Sequence, residues 1–346
     1  MAAGRRKVVW WKVVVGVVLA AIALALPYGN NVEYNTIFCQ VMYLAVAAMG
    51  LNLLTGFNGQ VSLGHGAFFG IGAFTAAILV VDHGWPIEAT FPVAALLAAG
   101  VGVLVGFPAL RVKGLYLALL TLGLSVLFPL VVQKYVKGPG GVPLLQPKAN
   151  QVSSLIAGMP DDIYRYYVCL GILVLVFVLA WNLARSRSGR AMIAVRDQET
   201  AASTVGVNVA SVKVASFAIS AAYAGLAGAM STYIDRTADA SNPIIYFQRS
   251  IEFLIAVVIG GAATIAGPLL GSMLLVAIRR RTAGTEAMAP AILGATLIIV
   301  VYVLPDGVVG GYRRLVARLN RRTEPVLPPP GLPPDDLIAN AGPSTT

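Results

Sequence analysis

Long apolar segments recur along the whole of this 346-residue chain. Each is close to the roughly 20 residues that an α-helix needs to cross the hydrocarbon of a membrane. The segments are residues 11–27, 36–54, 61–81, 91–109, 115–133, 166–183, 213–233, 251–278 and 288–304. Backbone groups in lipid must be bonded internally, and no alternating β-barrel pattern is present, so we expect helices. The sequence therefore predicts an all-α polytopic membrane protein, a bundle of about 9–10 transmembrane helices that includes broken or short segments.

The composition supports the same class of protein. Hydrophobic residues make up 58% of the chain and charged residues 12%, whereas a soluble domain has about 25% charged residues. The formal net charge of +10 is better explained by membrane topology than by nucleic-acid binding, because Lys and Arg gather in cytoplasmic loops. We therefore expect a multi-pass membrane protein, in contact with lipid and with no nucleic-acid partner.

Basic residues then orient the predicted bundle. The basic N-terminus, residues 1–10, is placed in the cytoplasm by Arg5, Arg6 and Lys7. Alternation puts the loops 82–90 and 134–165 outside and the basic loop 184–212 inside. A membrane domain is thus expected over residues 11–310, followed by a basic and then proline-rich cytoplasmic tail, 311–346, that we expect to be disordered.

The segment 251–278 leaves the number of crossings open. As a single span it gives 14 basic residues inside and 11 outside, with the tail outside. If the sequence GGAATIAGP (260–268) breaks it into two short crossings, the totals become 16 and 9, with the tail inside. Short, broken helices are tolerated where protein or a cavity surrounds them. We prefer the broken version.

If the chain transports a solute, coupling to protons would need an ionisable residue at mid-membrane, and coupling to ATP a phosphate-binding loop. Coupling to sodium stays open as an alternative. No Asp lies inside the apolar segments, and Glu252 lies at the edge of one, which argues against a proton relay. No GxxxxGK[ST] phosphate-binding loop is present. We therefore expect a transport subunit that is not an enzyme and binds no cofactor, with any ATP and Mg²⁺ used by partner subunits.

One loop has the features of a docking helix. In the stretch RDQETAASTVG (196–206), Asp197 is a candidate N-cap for a short helix from Gln198 to Val205. Gly206 is then placed to follow its C-terminus, where a left-handed residue is common. Ala201 and Ala202 would give the helix a small apolar face. An ordinary loop helix is the alternative.

A polar and glycine-rich stretch, NLLTGFNGQVSLGHGAFFGIGAF (52–74), interrupts the apolar pattern. Unpaired polar groups are costly in hydrocarbon, so its side chains should either bond between helices or line a solute pathway. Glycines there and in the segment 260–268 should allow close helix packing. The candidates for pathway lining or helix packing are Asn52, Thr55, Gly56, Asn58, Gln60, Ser62, His65, Gly66, Gly70, Gly260, Gly261, Thr264, Gly267 and Pro268. His65 has no second ligand at metal-site spacing, so no metal is expected.

Four stretches together carry a family resemblance. They are residues 52–74, LRVKGLYLALLTLG (110–123), SRSGRAMIAVRDQETAASTVG (186–206) and SIEFLIAVVIGGAATIAGPLLGS (250–272). In this order they resemble the branched-chain amino-acid ABC transporter permeases of the LivM/LivH type, closest to the LivM branch. Where such permeases often carry a Glu after the Thr-Leu of LALLTLG, this chain has Leu124, Ser125 and Val126.

The resemblance implies a specific role. It implies the ABC importer permease fold in the cytoplasmic (inner) membrane of a bacterium. It also implies a pathway for Leu, Ile or Val delivered by a periplasmic or lipoprotein solute-binding protein. The implied partners are a second homologous permease and two ATP-binding subunits. The EAA-type docking loop of such permeases corresponds here to Thr200, Ala201, Ala202 and Gly206, and the implied ATPase-coupling residues also include Arg196, Asp197 and Glu199.

Two alternatives differ in substrate or in class. A urea or short-amide ABC permease shares this architecture, and a solute-binding protein whose pocket lacks charged groups for both ends of a zwitterion would favour it. A self-sufficient secondary carrier or channel would move solute without ATPase subunits.

Overall fold

The computed structural model describes residues 21–29, 31–112, 114–136, 144–148, 158–242 and 244–282, with isolated positions beyond them (291, 294, 295, 298, 302 and 307–311). The chain divides into two units, residues 1–310 and 311–346, and the described membrane helices lie in the first unit. The predictions for residues 1–10, for the first part of the segment 11–27 and for the tail after Gly311 lie outside the described residues. Most of the segment 288–304 does too.

Helices form nearly all of the described chain. They are α1 (Val32–Asn52, continued by a π-helical turn, Leu53–Phe57), α2 (His65–Val81), α3 (Ile87–Ala109), α4 (Leu115–Tyr135), α5 (Asp161–Arg185), α6 (Arg187–Asp197), α7 (Glu199–Thr204), α8 (Val209–Asp235), α9 (Ile245–Gly260) and α10 (Gly267–Arg281). A 3₁₀ turn, Leu26–Tyr28, precedes α1. Two short strands, β1 (Leu144–Leu145) and β2 (Ala238–Asp239), pair antiparallel with Leu144 opposite Asp239.

The predicted all-α polytopic fold is confirmed. Within the described residues, five helices are long and apolar enough to cross a membrane, namely α1 with its π-helical turn, α3, α4, α5 and α8. The apolar helix α2 is shorter, with 17 residues. Leucines on the outer face of α4, such as Leu115 and Leu119, are exposed, as expected for a surface in contact with lipid.

The centre of the bundle is α8, which packs against α1, α2 and α3. Its small residues allow this close approach. A Cβ atom at Gly228 would collide with the carbonyl oxygen of Phe69, and one at Gly225 would collide with the side chain of Ala98. The apolar segment 213–233 therefore forms a buried central helix because alanine, serine and glycine fill one helix face.

The segment 251–278 is broken, as the preferred version predicts. Helices α9 and α10 are separated by residues 261–266 and pack against each other. Gly260 lies against Gly267, and Gly271 lies against the carbonyl of Ala256, so the two helices run antiparallel as a hairpin. Pro268 lies in the first turn of α10, where its missing N–H leaves no intrahelical bond unmade.

Two ends of the bundle are distinguished by their residues. We call one end the cavity end, after a cavity lined there by residues of α1, α2, α8, α9 and α10. At this end α1 begins, β1 pairs with β2, and Arg280 at the end of α10 forms an ion pair with Glu33. At the loop end, α1 terminates near the hairpin tip, residues 261–266, and near α6 and α7. The hairpin therefore reaches both ends of α1.

Candidate functional site

The short helix of the basic loop is present, with one correction at its start. It spans Glu199–Thr204, and the extended residue before it is Gln198. Asp197 is not the N-cap but the last residue of α6, and its carboxylate accepts from Arg196 Nε at 3.0 Å. The prediction failed because α6 extends through Asp197, so that the chain reverses at Gln198.

The end of α7 is as predicted. Gly206 has a φ of +85°, its N–H bonds the carbonyl of Ser203 at 3.1 Å, and the N–H of Val207 bonds the carbonyl of Ala202 at 3.0 Å. This pair of bonds is the Schellman motif, which needs a residue that tolerates the left-handed conformation. The glycine therefore fixes the length of α7.

Helix α7 has a buried back and an exposed front. Ala202 is 3% exposed, and Glu199 forms a 2.5 Å ion pair with the buried Lys213 of α8. On the opposite face Ala201 is exposed, and Val205 just beyond the helix is 78% exposed. The remaining exposed positions on this front are Thr200, Ser203, Thr204 and Gly206. The helix is thus held from behind while presenting small, uncharged residues outward.

A single arginine joins this loop to the polar stretch 52–65. Arg196 Nη1 donates to the carbonyl oxygen of Gly56 at 3.0 Å. Its aliphatic part covers Gly59, where a Cβ would lie 2.6 Å from Arg196 Cγ. A side chain at Gly59 would therefore displace the arginine, and the glycine permits the contact.

Asn52 continues the connection to the hairpin tip. Its Oδ1 accepts from the N–H of Ala263 at 2.9 Å, and its Nδ2 donates to the carbonyl of Thr264 at 2.8 Å. Ala263 has a φ of +57°, a conformation that costs a non-glycine residue roughly 1 kcal/mol or more. The oxygen and the nitrogen of the Asn52 side-chain amide are therefore both used to hold a strained backbone in place.

The other hydrogen-bonded polar residues of the stretch join neighbouring elements. His65 is fully buried, with Nε2 2.5 Å from Ser220 Oγ of α8 and Nδ1 3.2 Å from Ser62 Oγ. Thr55 Oγ1 donates to the carbonyl of Gln60 at 3.1 Å. The structure thus places Asn52, Thr55, Ser62 and His65 in contacts within and between elements.

Two residues of the stretch differ from these. Asn58 and Gln60 are 2% and 6% exposed, yet no hydrogen-bond partner is found among the described residues for the nitrogen or oxygen of either side-chain amide. Both line a small cavity of about 70 Å³ beside Arg196, Glu199 and Lys213. A cavity of this size and polarity is suited to water.

The glycines of both stretches lie at close contacts. A Cβ at Gly66 would collide with the carbonyl of Tyr246, and one at Gly70 with Phe128. At the hairpin tip, Gly56 lies against Ala263, and Gly261 lies against Gly307. Thr264 Oγ1 donates to the carbonyl of Gly261 at 2.6 Å. The predicted glycines therefore bring α2 onto α9 and hold the hairpin tip.

A serine cluster was missed by the sequence analysis. Ser250 of α9 accepts from the N–H of Gly66 at 2.8 Å and lies 3.1 Å from Ser125 Oγ of α4. Ser125 also contacts the carbonyl of Leu63 at 2.8 Å. Single serines in apolar helices give no distinctive signal, so only the structure brings them together.

The sequence analysis also missed a cavity of about 420 Å³ at the cavity end. It lies between α1, α2, α8, α9 and α10, and none of the predicted site residues lines it. Its polar wall includes Gln40, Tyr43, Asp235, Asp239, Arg249 and Arg279. The available signal was the set of charges just outside the apolar segments, which are also expected from topology alone. No group of three potential metal ligands occurs among the described residues.

The fold defines a class, a multi-pass α-helical membrane protein. The family model for the branched-chain amino acid transport system permease component matches residues 34–301. The high-affinity branched-chain amino acid transport system permease protein LivM of Escherichia coli (strain K12) is 30% identical over 314 residues, 84% of this chain and 73% of LivM. LivH of the same strain is 26% identical over 77% of this chain and 91% of LivH.

A third relative is BraD of Pseudomonas aeruginosa (strain PAO1), which is 25% identical over 67% of this chain and 79% of its own length. No solved structure matches the chain. The chain belongs to the family of branched-chain amino acid transport system permease components. It is thus a permease of the ABC transport type and a multi-pass inner-membrane protein.

Proposed function

We propose that this chain is the permease subunit of an ATP-driven importer that moves Leu, Ile or Val delivered by a solute-binding protein. It acts with a second homologous permease and two ATP-binding subunits, and it binds no cofactor itself. The observation that carries the proposal is α7, whose exposed front is available for docking while its back is fixed to α8.

The orientation follows from the two ends. The loop end, with α6 and α7, faces the cytoplasm, where basic loops gather, and the cavity end faces outward. The hairpin places Arg279, Arg280 and Arg281 at the cavity end, which corresponds to the version with 16 basic residues inside and 9 outside. Gly307 lies against Gly261 at the hairpin tip, and this contact supports a version in which the chain has returned to the loop end by residue 307.

A continuous set of contacts links the docking helix to the membrane interior. Movement of α7 displaces Arg196, which lies at the corner between α6 and α7. Arg196 in turn moves Gly56 through the 3.0 Å hydrogen bond from its Nη1 to the Gly56 carbonyl. The hairpin tip follows through its bonds to Asn52. The hairpin helices α9 and α10 in turn contribute Arg249 and Arg279 to the large cavity. ATP-driven displacement of α7 can thereby change the cavity at the other end of the bundle.

The test alters only the exposed front of α7. Ala201→Arg and Val205→Arg should abolish co-purification of the ATP-binding subunits and leucine uptake while leaving the amount of chain in the membrane unchanged. Ala89→Arg, an exposed alanine of α3 at the cavity end, is the matched control and should leave ATPase binding intact. Normal ATPase binding and uptake in both α7 variants would contradict the coupling assignment.

A further inference from the structure

The cavity at the cavity end has walls of two kinds. Leu44, Phe69 and Val276 form an apolar part, while α1, α8, α9 and α10 contribute charged and polar side chains. With about 420 Å³ of space, it falls within the range of small-molecule sites, which are mostly apolar with a few well-placed polar groups. The contacts that lead from α7 to the hairpin tip do not use these walls.

One polar wall carries a negative charge. Asp235, the last residue of α8, accepts from Gln40 Nε2 at 3.1 Å and from the Tyr43 hydroxyl at 3.2 Å. Both donors are neutral, and no ion pair of Asp235 with Lys or Arg is found among the described residues. The carboxylate is therefore positioned by hydrogen bonds, but its charge has no direct counter-ion there.

Another part of the cavity lining, on α9 and α10, carries a positive charge in excess. Arg249 Nη1 and Arg279 Nη1 contact the same carboxylate oxygen, Glu252 Oε2, at 3.0 and 3.3 Å. Two guanidinium groups thus share one carboxylate. The side chain of Arg249 is 23% exposed and that of Arg279 is 40% exposed, so each retains donors that can reach a ligand in the cavity.

We propose that this cavity binds the zwitterionic head group of an α-amino acid, with the ammonium at Asp235 and the carboxylate at Arg249 and Arg279. The inference rests on the proposed function for its solute and adds the site and its chemistry. The aliphatic side chain lies against Leu44, Phe69 and Val276. A ligand with both charges satisfies both walls through charge-assisted hydrogen bonds, whereas urea carries neither charge.

The test measures occupancy of the cavity directly. Thr237 lines the cavity, so Thr237→Cys is introduced into the full chain after the two buried cysteines, Cys39 and Cys169, are replaced by alanine. In membrane vesicles with the partner subunits, leucine should slow labelling of the introduced thiol by a thiol reagent. The analogue 4-methylpentanoate, which lacks the ammonium, leucinamide, which lacks the carboxylate, and urea should each need at least about tenfold higher concentrations.

Paired variants assign the two walls. Asp235→Asn and Arg279→Gln should each raise the protecting leucine concentration about tenfold. Asp235→Asn should do so without changing the weak protection by 4-methylpentanoate. The controls are Asp82→Asn, an exposed carboxylate at the same end, and Arg281→Gln, an exposed member of the same arginine triplet. Neither control lines the cavity, and both should protect as the parent chain does.

The outcomes separate this inference from the proposed function. Equal protection by leucine and 4-methylpentanoate, or equal effects of the cavity variants and their controls, overturns the site. Protection by leucine in an assembly that shows no ATP-driven uptake supports the site and contradicts the importer. ATP-driven uptake by an assembly in which leucine gives no protection supports the importer and overturns the site.

Discussion

The two ends of the bundle use their polar groups differently. At the loop end, Asn52 and Arg196 bond to backbone atoms of other segments, and such bonds fix the positions of the segments they join. At the cavity end, Asp235, Arg249 and Arg279 bond to other side chains around an open volume. Side-chain partners can be exchanged for a solute with little movement of the backbone. The difference indicates that one end transmits position and the other recognises charge.

The largest expected effect concerns the packed centre that joins both ends. Gly228→Leu would force a side chain into the carbonyl of Phe69, and overpacking of this kind costs about 3 kcal/mol or more where backbone must move. Gly123→Leu is the control, since nothing lies within 4 Å of a Cβ there. The amount of chain in the membrane and the midpoint temperature of thermal unfolding in detergent should fall sharply for Gly228→Leu and little for Gly123→Leu. Equal stability would mean that the ends are not rigidly connected.

The loop end is tested next through its clamp. Asn52→Leu removes both bonds to the hairpin tip and leaves the N–H of Ala263 without its acceptor, which should cost about 2–3 kcal/mol. Thr36→Val, which removes an exposed bond within the first turn of α1, should cost less than about 1 kcal/mol. Denaturant unfolding measures both. ATP hydrolysis without leucine uptake is the further result expected of Asn52→Leu, because the tip would no longer follow α7.

The anchor of α7 should have a smaller effect. Lys213 is 5% and Glu199 30% exposed at the side chain, so removing one charge leaves the other in a partly desolvated place. Lys213→Met should destabilise the chain by about 1–2 kcal/mol, and the double variant Lys213→Met/Glu199→Gln by less than the sum of the single effects. Strict additivity in this double-mutant cycle would show that the pair does not hold α7.

The smallest effect is expected at Gln60, whose side-chain amide has no partner among the described residues. Gln60→Met removes this amide, so stability should change by less than about 1 kcal/mol. Ser220→Ala is the comparison: it breaks the 2.5 Å contacts with His65 Nε2 and with the carbonyl of Gly50 and should cost about 1 kcal/mol. A loss of transport in Gln60→Met at unchanged stability would identify the small cavity as part of the pathway, whereas loss of stability would place Gln60 among the packing residues.

Most of the fold could be predicted from the sequence, because the length of an apolar helix and the places where glycine or proline interrupts it are local properties. The break at 260–268 and the position of Gly206 were recognisable for the same reason: glycine and proline act on their own backbone. The N-cap at Asp197 was wrong because α6 and α7 compete for the same residues, and α6 extends further.

The large cavity could not have been predicted in this way. Gln40, Asp235 and Arg279 lie far apart in the sequence, and each stands near the end of an apolar segment, where charged residues are expected for topology alone. Only the antiparallel arrangement of α9 and α10 brings Arg279 beside Arg249 and Glu252. The sequence likewise left open whether the polar residues of 52–65 bond between helices or line a pathway. Only the structure distinguishes Asn52 and His65, which are hydrogen-bonded, from Asn58 and Gln60, whose side-chain amides have no partner among the described residues.

The proposed ATP-driven importer is tested most directly by leucine uptake into proteoliposomes that contain this chain, its partner permease, the ATP-binding subunits and the solute-binding protein. We expect uptake that requires ATP and that stops when the ATP-binding subunits are omitted or when Val205→Arg prevents their docking. Leucine uptake at an unchanged rate by the permease chains alone would contradict it and would identify a self-sufficient carrier or channel.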